Sequence, residues 1–101
     1  MKTRIDLQDL FEEILGTINV YFQPPASVTM QYPCIVYNRE SNDSKFAGNV
    51  LYVHKKRYQV TVIDKNPDSE IPDKILMLPL CSFSRQYKAD NLNHDVYNLY
   101  Y

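Results

Sequence analysis

"VLYVHKKRYQVTVIDKNPDSEIPDKILMLPL", residues 50–80, decides the fold. Its first half alternates apolar and polar side chains with a period of two, the pattern of a strand. The phase changes along the way. Leu51 and Val53 are apolar at odd positions, whereas Tyr58, Val60 and Val62 are apolar at even positions. Such a flip implies a bulge, or a strand whose ends face a core and a neighbouring subunit. Between the phases lies the basic run His54–Arg57. Consecutive strand residues point to opposite faces, so this run reads as a charged rim or guarded sheet edge and only weakly as a nucleic-acid patch.

The second half gathers Asp68, Glu70 and Asp73, which admit two readings: a cation site or the start of a helix. Asn66–Pro67–Asp68 is turn chemistry. Ser69 then stands where an N-cap is wanted, and Pro72 falls in the first turn, where no amide hydrogen is needed. Glu70 and Asp73 lie near the positive end of the helix dipole. Ile71, Ile75, Leu76 and Leu78 supply a buried face, and Pro79 stops the helix. A calcium loop needs a central glycine and a terminal glutamate, and the stretch has neither. Helix initiation accounts for each of its acids, so no metal ligand is expected here.

Outward from this unit, "DLQDLFEEILGTI" predicts a helix with Leu7, Leu10, Phe11, Ile14 and Ile18 on one stripe. Asp6 is its expected N-cap, Asp9 adds negative charge to the first turn, and Gly16 ends it. Gln8, Asp9, Glu12 and Glu13 form a solvated face. Val20–Gln23 is a short extended piece stopped by Pro24–Pro25. "YPCIVYNRE", residues 32–40, is apolar on both faces, Cys34 and Val36 on one and Ile35 and Tyr37 on the other, which implies a central strand covered on both sides. Residues 41–49 are a polar loop carrying Phe46. "LCSFSRQYKAD" predicts a strand with Cys81, Phe83 and Tyr87 inward and Ser82 and Ser84 outward. It is expected to form a hairpin with "NLNHDVYNLYY" through a polar turn at Ala89–Asn93, within which Asp90–Asn91 is turn chemistry. The expectation is one α+β domain spanning 1–101: a mainly antiparallel sheet of about four to five strands with two helices packed on one face.

Bulk properties narrow the function classes. The chain has 101 residues and a net charge of −1, which gives no reason to expect a polyanion partner. It holds nine tyrosines and no tryptophan, and the amphipathic tyrosine ring suits half-wet interfaces. No secretory leader or membrane span is expected. Cys34 and Cys81 are isolated and read as buried free thiols, with a disulfide as the alternative. Gly16 and Gly48 are the only glycines, so no phosphate loop can form, and no GxSxG motif exists. Pro67–Asp68 lacks the (D/E)xK partner of a nuclease, and His94–Asp95 with Asp90 reads as a polar hairpin edge. No catalytic, cofactor-binding or metal-binding residues are expected.

Three stretches carry a resemblance. "YPCIVYNRE", "YVHKKRYQVTVIDKNPDSEIPDKI" and "DNLNHDVYNLYY" resemble the small tail-completion proteins of long-tailed bacteriophages, also called tail terminators, tail-to-head joining proteins or minor tail proteins. The strand Tyr58–Asp64 running into Asn66–Pro67–Asp68–Ser69 is the most specific piece, followed by the closing strand. The resemblance implies a virion protein of the tail and neck, assembled in the host cytoplasm. It implies a ring, typically a hexamer, that ends the tail tube and joins it to the head connector, with DNA passing through the lumen. Its partners would be further copies of itself, the tail-tube protein and the head-completion protein, with no membrane and no specific nucleic-acid binding. The expected interface residues are Phe46, Lys55, Lys56, Arg57, Asn91 and Leu92. Two rival readings are a small cytoplasmic phage accessory protein that binds a host factor, and a metal-dependent nuclease using Asp64, Asp68 and His94.

Overall fold

The structure is a computed structural model, and it describes residues 3–40 and 56–101. Its elements are α1 (Arg4–Leu15), β1 (Val20–Phe22), β2 (Cys34–Arg39), β3 (Arg57–Asp64), α2 (Ile71–Leu76), β4 (Cys81–Ala89) and β5 (Leu92–Tyr100). The strands form one five-stranded sheet in the order β1-β2-β3-β5-β4. β1 runs parallel to β2, and the other neighbours are antiparallel. The fold is the expected α+β class, a mostly antiparallel sheet with two helices.

The first helix begins earlier than the sequence suggested. Thr3, not Asp6, is the N-cap. Its Oγ1 accepts the Asp6 N–H at 3.3 Å, while the Asp6 carboxylate accepts the Thr3 N–H at 2.9 Å. This reciprocal capping box satisfies two donors that a helix start otherwise leaves open. Gly16 ends the helix in the left-handed region at φ 82°, and its N–H reaches the Glu12 carbonyl. Leu7, Phe11 and Leu15 are buried, with Leu10 and Ile14 packed beside them. Ile18 lies past the helix and is 81% exposed, so it is not part of the stripe.

Both helices cover one sheet face. There Leu7, Phe11 and Leu15 of α1 and Ile75 of α2 meet Ile35, Tyr37, Tyr58, Val60, Val62, Tyr97 and Leu99. Tyr37 is fully buried at the centre, with its ring 5.1 Å from Phe11 and 4.9 Å from Phe22. The other face holds a second cluster of Cys34, Ile63 and Leu92, against which Tyr21, Met30 and Val36 pack. The two-faced reading of residues 34–37 is thereby met, since alternate side chains of β2 enter different clusters.

The acidic stretch resolves into a ladder of turns. Asp64 Oδ1 accepts the Asn66 N–H, Asn66 Oδ1 accepts the Asp68 N–H, and Ser69 Oγ accepts the Ile71 N–H. Glu70, not Ser69, holds the N-cap position of α2, though it makes no side-chain capping bond. Ser69 serves the same helix start through its own turn. Pro72 lies in the first turn as expected. The helix stops at Leu76, ahead of Pro79, and Leu76 is 45% exposed. Of the anticipated apolar face, Ile75 is fully buried and Ile71 and Leu78 pack alongside the core.

The expected hairpin joins β4 to β5. Its loop residues Asp90 and Asn91 have φ of 53° and 61°, the positive pair that a type I′ turn requires. The phase change at residues 51–55 lies outside the described residues. From Arg57 onward β3 keeps a single phase, with Tyr58, Val60 and Val62 on the helix-covered face.

Candidate functional site

A sheet has two edges, and here they differ. The β1 edge is short and closed. It spans three residues, its Val20 carbonyl accepts the Gln8 side-chain amide at 3.1 Å, and Gln23, at φ 45°, turns the chain into Pro24–Pro25. The β4 edge is long and open. Among the described residues, its nine residues pair with β5 on one side only, and Ser82–Lys88 are all exposed.

Placing β4 at an edge corrects the inward assignment of Phe83 and Tyr87, which are 52% and 43% exposed. The register slips between Phe83 and Arg85, a bulge at Ser84. Before it, Phe83 sits opposite Tyr97 on the helix side. After it, Arg85 and Tyr87 sit opposite Val96 and His94 on the other side. An extra residue in one strand reverses the alternation, so the two rings emerge on opposite faces. Each ring keeps one partner: Phe83 packs edge-on against Tyr97 at 5.6 Å, and Tyr87 stacks on His94 at 4.6 Å with planes 12° apart. The Arg85 guanidinium lies 5.8 Å from the Tyr87 ring centre. β4 carries Arg85 and Lys88 and no acidic residue. α2, which packs against β4, is capped at its C-terminal end by Met77, 85% exposed.

The anticipated interface residues scatter. Phe46 and Lys55 lie outside the described residues. Lys56 is exposed, and its backbone exchanges hydrogen bonds with Tyr101 in both directions. Arg57 begins β3, half-buried, and donates to Asn98 Oδ1 at 3.3 Å. Because β3 lies between β2 and β5, Lys56 and Arg57 do not guard an edge, which corrects that expectation. Asn91 is exposed in the hairpin turn. Leu92 is buried in the small cluster with Cys34 and Ile63, so it is a core residue and not a contact anchor.

The nuclease constellation does not converge. His94 pairs with Ile63 in the β3–β5 register, so the neighbouring Asp64 projects to the opposite face. The His94 ring stacks on Tyr87 and bonds to the Leu92 carbonyl, while Asp64 is held in its own turn. Among the described residues, no three His, Cys, Asp or Glu side chains are grouped to hold a metal ion. The cysteines are both free. Burial and the nearby Asp64 push the Cys34 thiol up to about 12, and burial pushes Cys81 up to about 11, so both stay protonated near neutrality. Asp95 is raised by burial and by Asp73, with His94 opposing, and Tyr97 is pushed up to about 12 by burial and then Asp95. Among the described residues, no helix is long and apolar enough to cross a membrane.

The chain matches no family model, no curated protein and no solved structure. The edge formed by Phe83, Arg85, Tyr87 and Lys88 escaped the sequence reading. A signal was present: in "SFSRQYK" a polar or charged residue flanks every ring, which suits a strand with only one neighbour.

Proposed function

We propose that this chain is a structural virion subunit that forms a ring at the head-proximal end of a long phage tail, ending the tail tube and joining it to the head connector. The observation that carries the assembly part of this reading is the unequal pair of sheet edges. One flank is closed at β1, and the other offers a nine-residue strand with seven exposed residues, two of them aromatic. An edge of this kind is a template for association. A subunit with unlike flanks favours head-to-tail contacts, and these close into rings when the rotation permits. The tail assignment draws on the resemblance in residues 32–40 and in the strand–turn unit from Tyr58 to Ser69, whose turn ladder leads into α2 and serves scaffold geometry. Partners in this reading are further copies of the chain, the tail-tube protein and the connector. Cryo-electron microscopy of virions, with the subunit located by labelled antibody, tests it. The expected result is a single ring between tube and connector. Copies along the whole tail, or absence from purified particles, would replace this reading with that of an accessory protein.

A further inference from the structure

Residue 80, which joins the α2 segment to β4, is a leucine with φ of 58°, in the left-handed region. A bulky side chain is strained there, and the conformation persists only where its surroundings impose it. The Leu80 carbonyl accepts the Tyr100 N–H at 3.2 Å, and Leu80 lines a small apolar pocket with Leu10, Leu78, Pro79 and Leu99. The helix ahead of this joint is weakly secured. α2 has six residues, too few to be stable alone, and Glu70 at its N-cap makes no side-chain bond. Ile75 is its one buried residue. Ile71 and Leu78 pack at the margin of the core cluster, while Leu76 and Met77 are mostly turned to solvent. The Asp95 carboxyl of β5 is raised by burial and then by Asp73 of α2, with His94 opposing, so helix and sheet set like charges against each other.

We propose that residues 71–80 form a strap that opens as one unit about Pro79–Leu80 while the sheet stays folded. Local opening draws on segments with few buried apolar contacts and solvent-exposed hydrogen bonds. Opening breaks the bond from the Met77 N–H to the Asp73 carbonyl, the bond from Leu78 to Ile75 and the bond from Tyr100 to Leu80, and it releases the left-handed leucine. It also withdraws Ile71, Ile75 and Leu78 from the cluster they share with Cys81 and Tyr97. The open form therefore exposes the half-buried Cys81 thiol and the apolar surface around it. The strap is independent of the ring reading.

Native-state hydrogen exchange, read by NMR on the full chain, tests this amide by amide. The Met77, Leu78 and Tyr100 amides should share one protection factor, about a hundredfold or more below those of Val60 and Val62 in β3. Asp95→Asn removes the like charge beneath the strap and should raise that shared protection about threefold. Two variants test the joint by the sign of their difference. Leu80→Ala and Leu80→Gly both discard the side chain, but only glycine adopts φ 58° without strain. The strap should therefore be about fivefold better protected in Leu80→Gly than in Leu80→Ala. An unstrained joint gives the reverse order, because glycine acquires more freedom on opening. Each ratio is taken to the β3 amides of the same variant. Protection at Met77, Leu78 and Tyr100 equal to that of β3, or three unrelated values, would overturn the strap. Greater protection with alanine than with glycine would overturn the joint at Leu80.

Discussion

Removing one oxygen from Tyr37 tests how the helix layer is tied to the sheet. The hydroxyl donates to Gln8 Oε1 at 2.6 Å and accepts from the Arg4 guanidinium at 3.2 Å. Gln8 in turn donates to the Val20 carbonyl, and the Arg4 guanidinium lies 4.5 Å above the Phe22 ring. One phenol thus links α1 to β1 and β2. Tyr37→Phe keeps the ring contacts with Phe11, Phe22 and Tyr58 and deletes only this link. A neutral hydrogen bond contributes about 1 kcal/mol net and one to a charged group about 1.5–3 kcal/mol. Gln8 and Arg4 are only half-buried and recover some hydration, so the combined loss should be about 2 kcal/mol. For a domain of this size that lowers Tm by roughly 8–16 °C. Tyr37→Leu also discards the ring packing and should cost about 3–5 kcal/mol. Urea unfolding of both variants, with Gln8→Ala added to complete a double-mutant cycle, separates the terms. A Tyr37→Phe loss below about 0.5 kcal/mol, or no coupling to Gln8, would refute the claim that this hydroxyl holds α1 in place.

Stability should fall on the alkaline side. Cys34 and Tyr97 are pushed up to about 12 and Cys81 to about 11, from ordinary values of 9.0 for the thiols and 10.0 for the phenol. The folded state therefore retains protons that the unfolded chain releases, and stability is lost as pH climbs from about 9 towards 12. Urea midpoints across that range should decline, and Cys34→Val should flatten the first part of the slope. Asn66→Ala removes the acceptor of the Asp68 N–H and should destabilise by about 1 kcal/mol in thermal melts; added calcium should shift neither Tm. Asn91→Val places a β-branched residue at φ 61° and should cost about 1–2 kcal/mol, whereas Asn91→Gly should be neutral or stabilising, both read from denaturant midpoints.

Local chemistry was legible wherever one residue type has one good explanation. Gly16 marked a helix end, Asp90–Asn91 marked a hairpin, and the alternation from Tyr58 to Val62 marked a strand face buried under helices. In the acidic stretch Glu70 and Asp73 stand at a helix start, yet Asp68 and Ser69 fall in the turns ahead of it, because Asp64, Asn66 and Ser69 each close a turn on a backbone N–H two residues ahead. The capping box displaced the first N-cap for a similar reason: Asp6 can cap a helix or serve as the third helical residue of a box headed by Thr3, and spacing alone does not separate the two. Sheet order was the larger gap. The basic run was read as an edge guard, but it leads into a strand with neighbours on both sides, because partners distant in sequence decide which strands lie at an edge. Leu92 was misjudged by the same blindness, since a residue beside a turn is exposed or buried according to the face it enters.

The β4 edge combines features that oppose association with features that favour it. The Ser84 bulge and the charges of Arg85 and Lys88 are devices that prevent indiscriminate strand pairing. Phe83, Tyr87 and Met77 expose apolar surface on and near the same strand. A strand that needed only protection would not carry two half-exposed rings, and a strand that paired freely with its own kind would not carry two cations and an interrupted register. Both sets of features suit a partner that brings acidic residues and does not require a continuous ladder. On this reasoning the bulge and the basic residues act less to keep the edge empty than to determine what fills it.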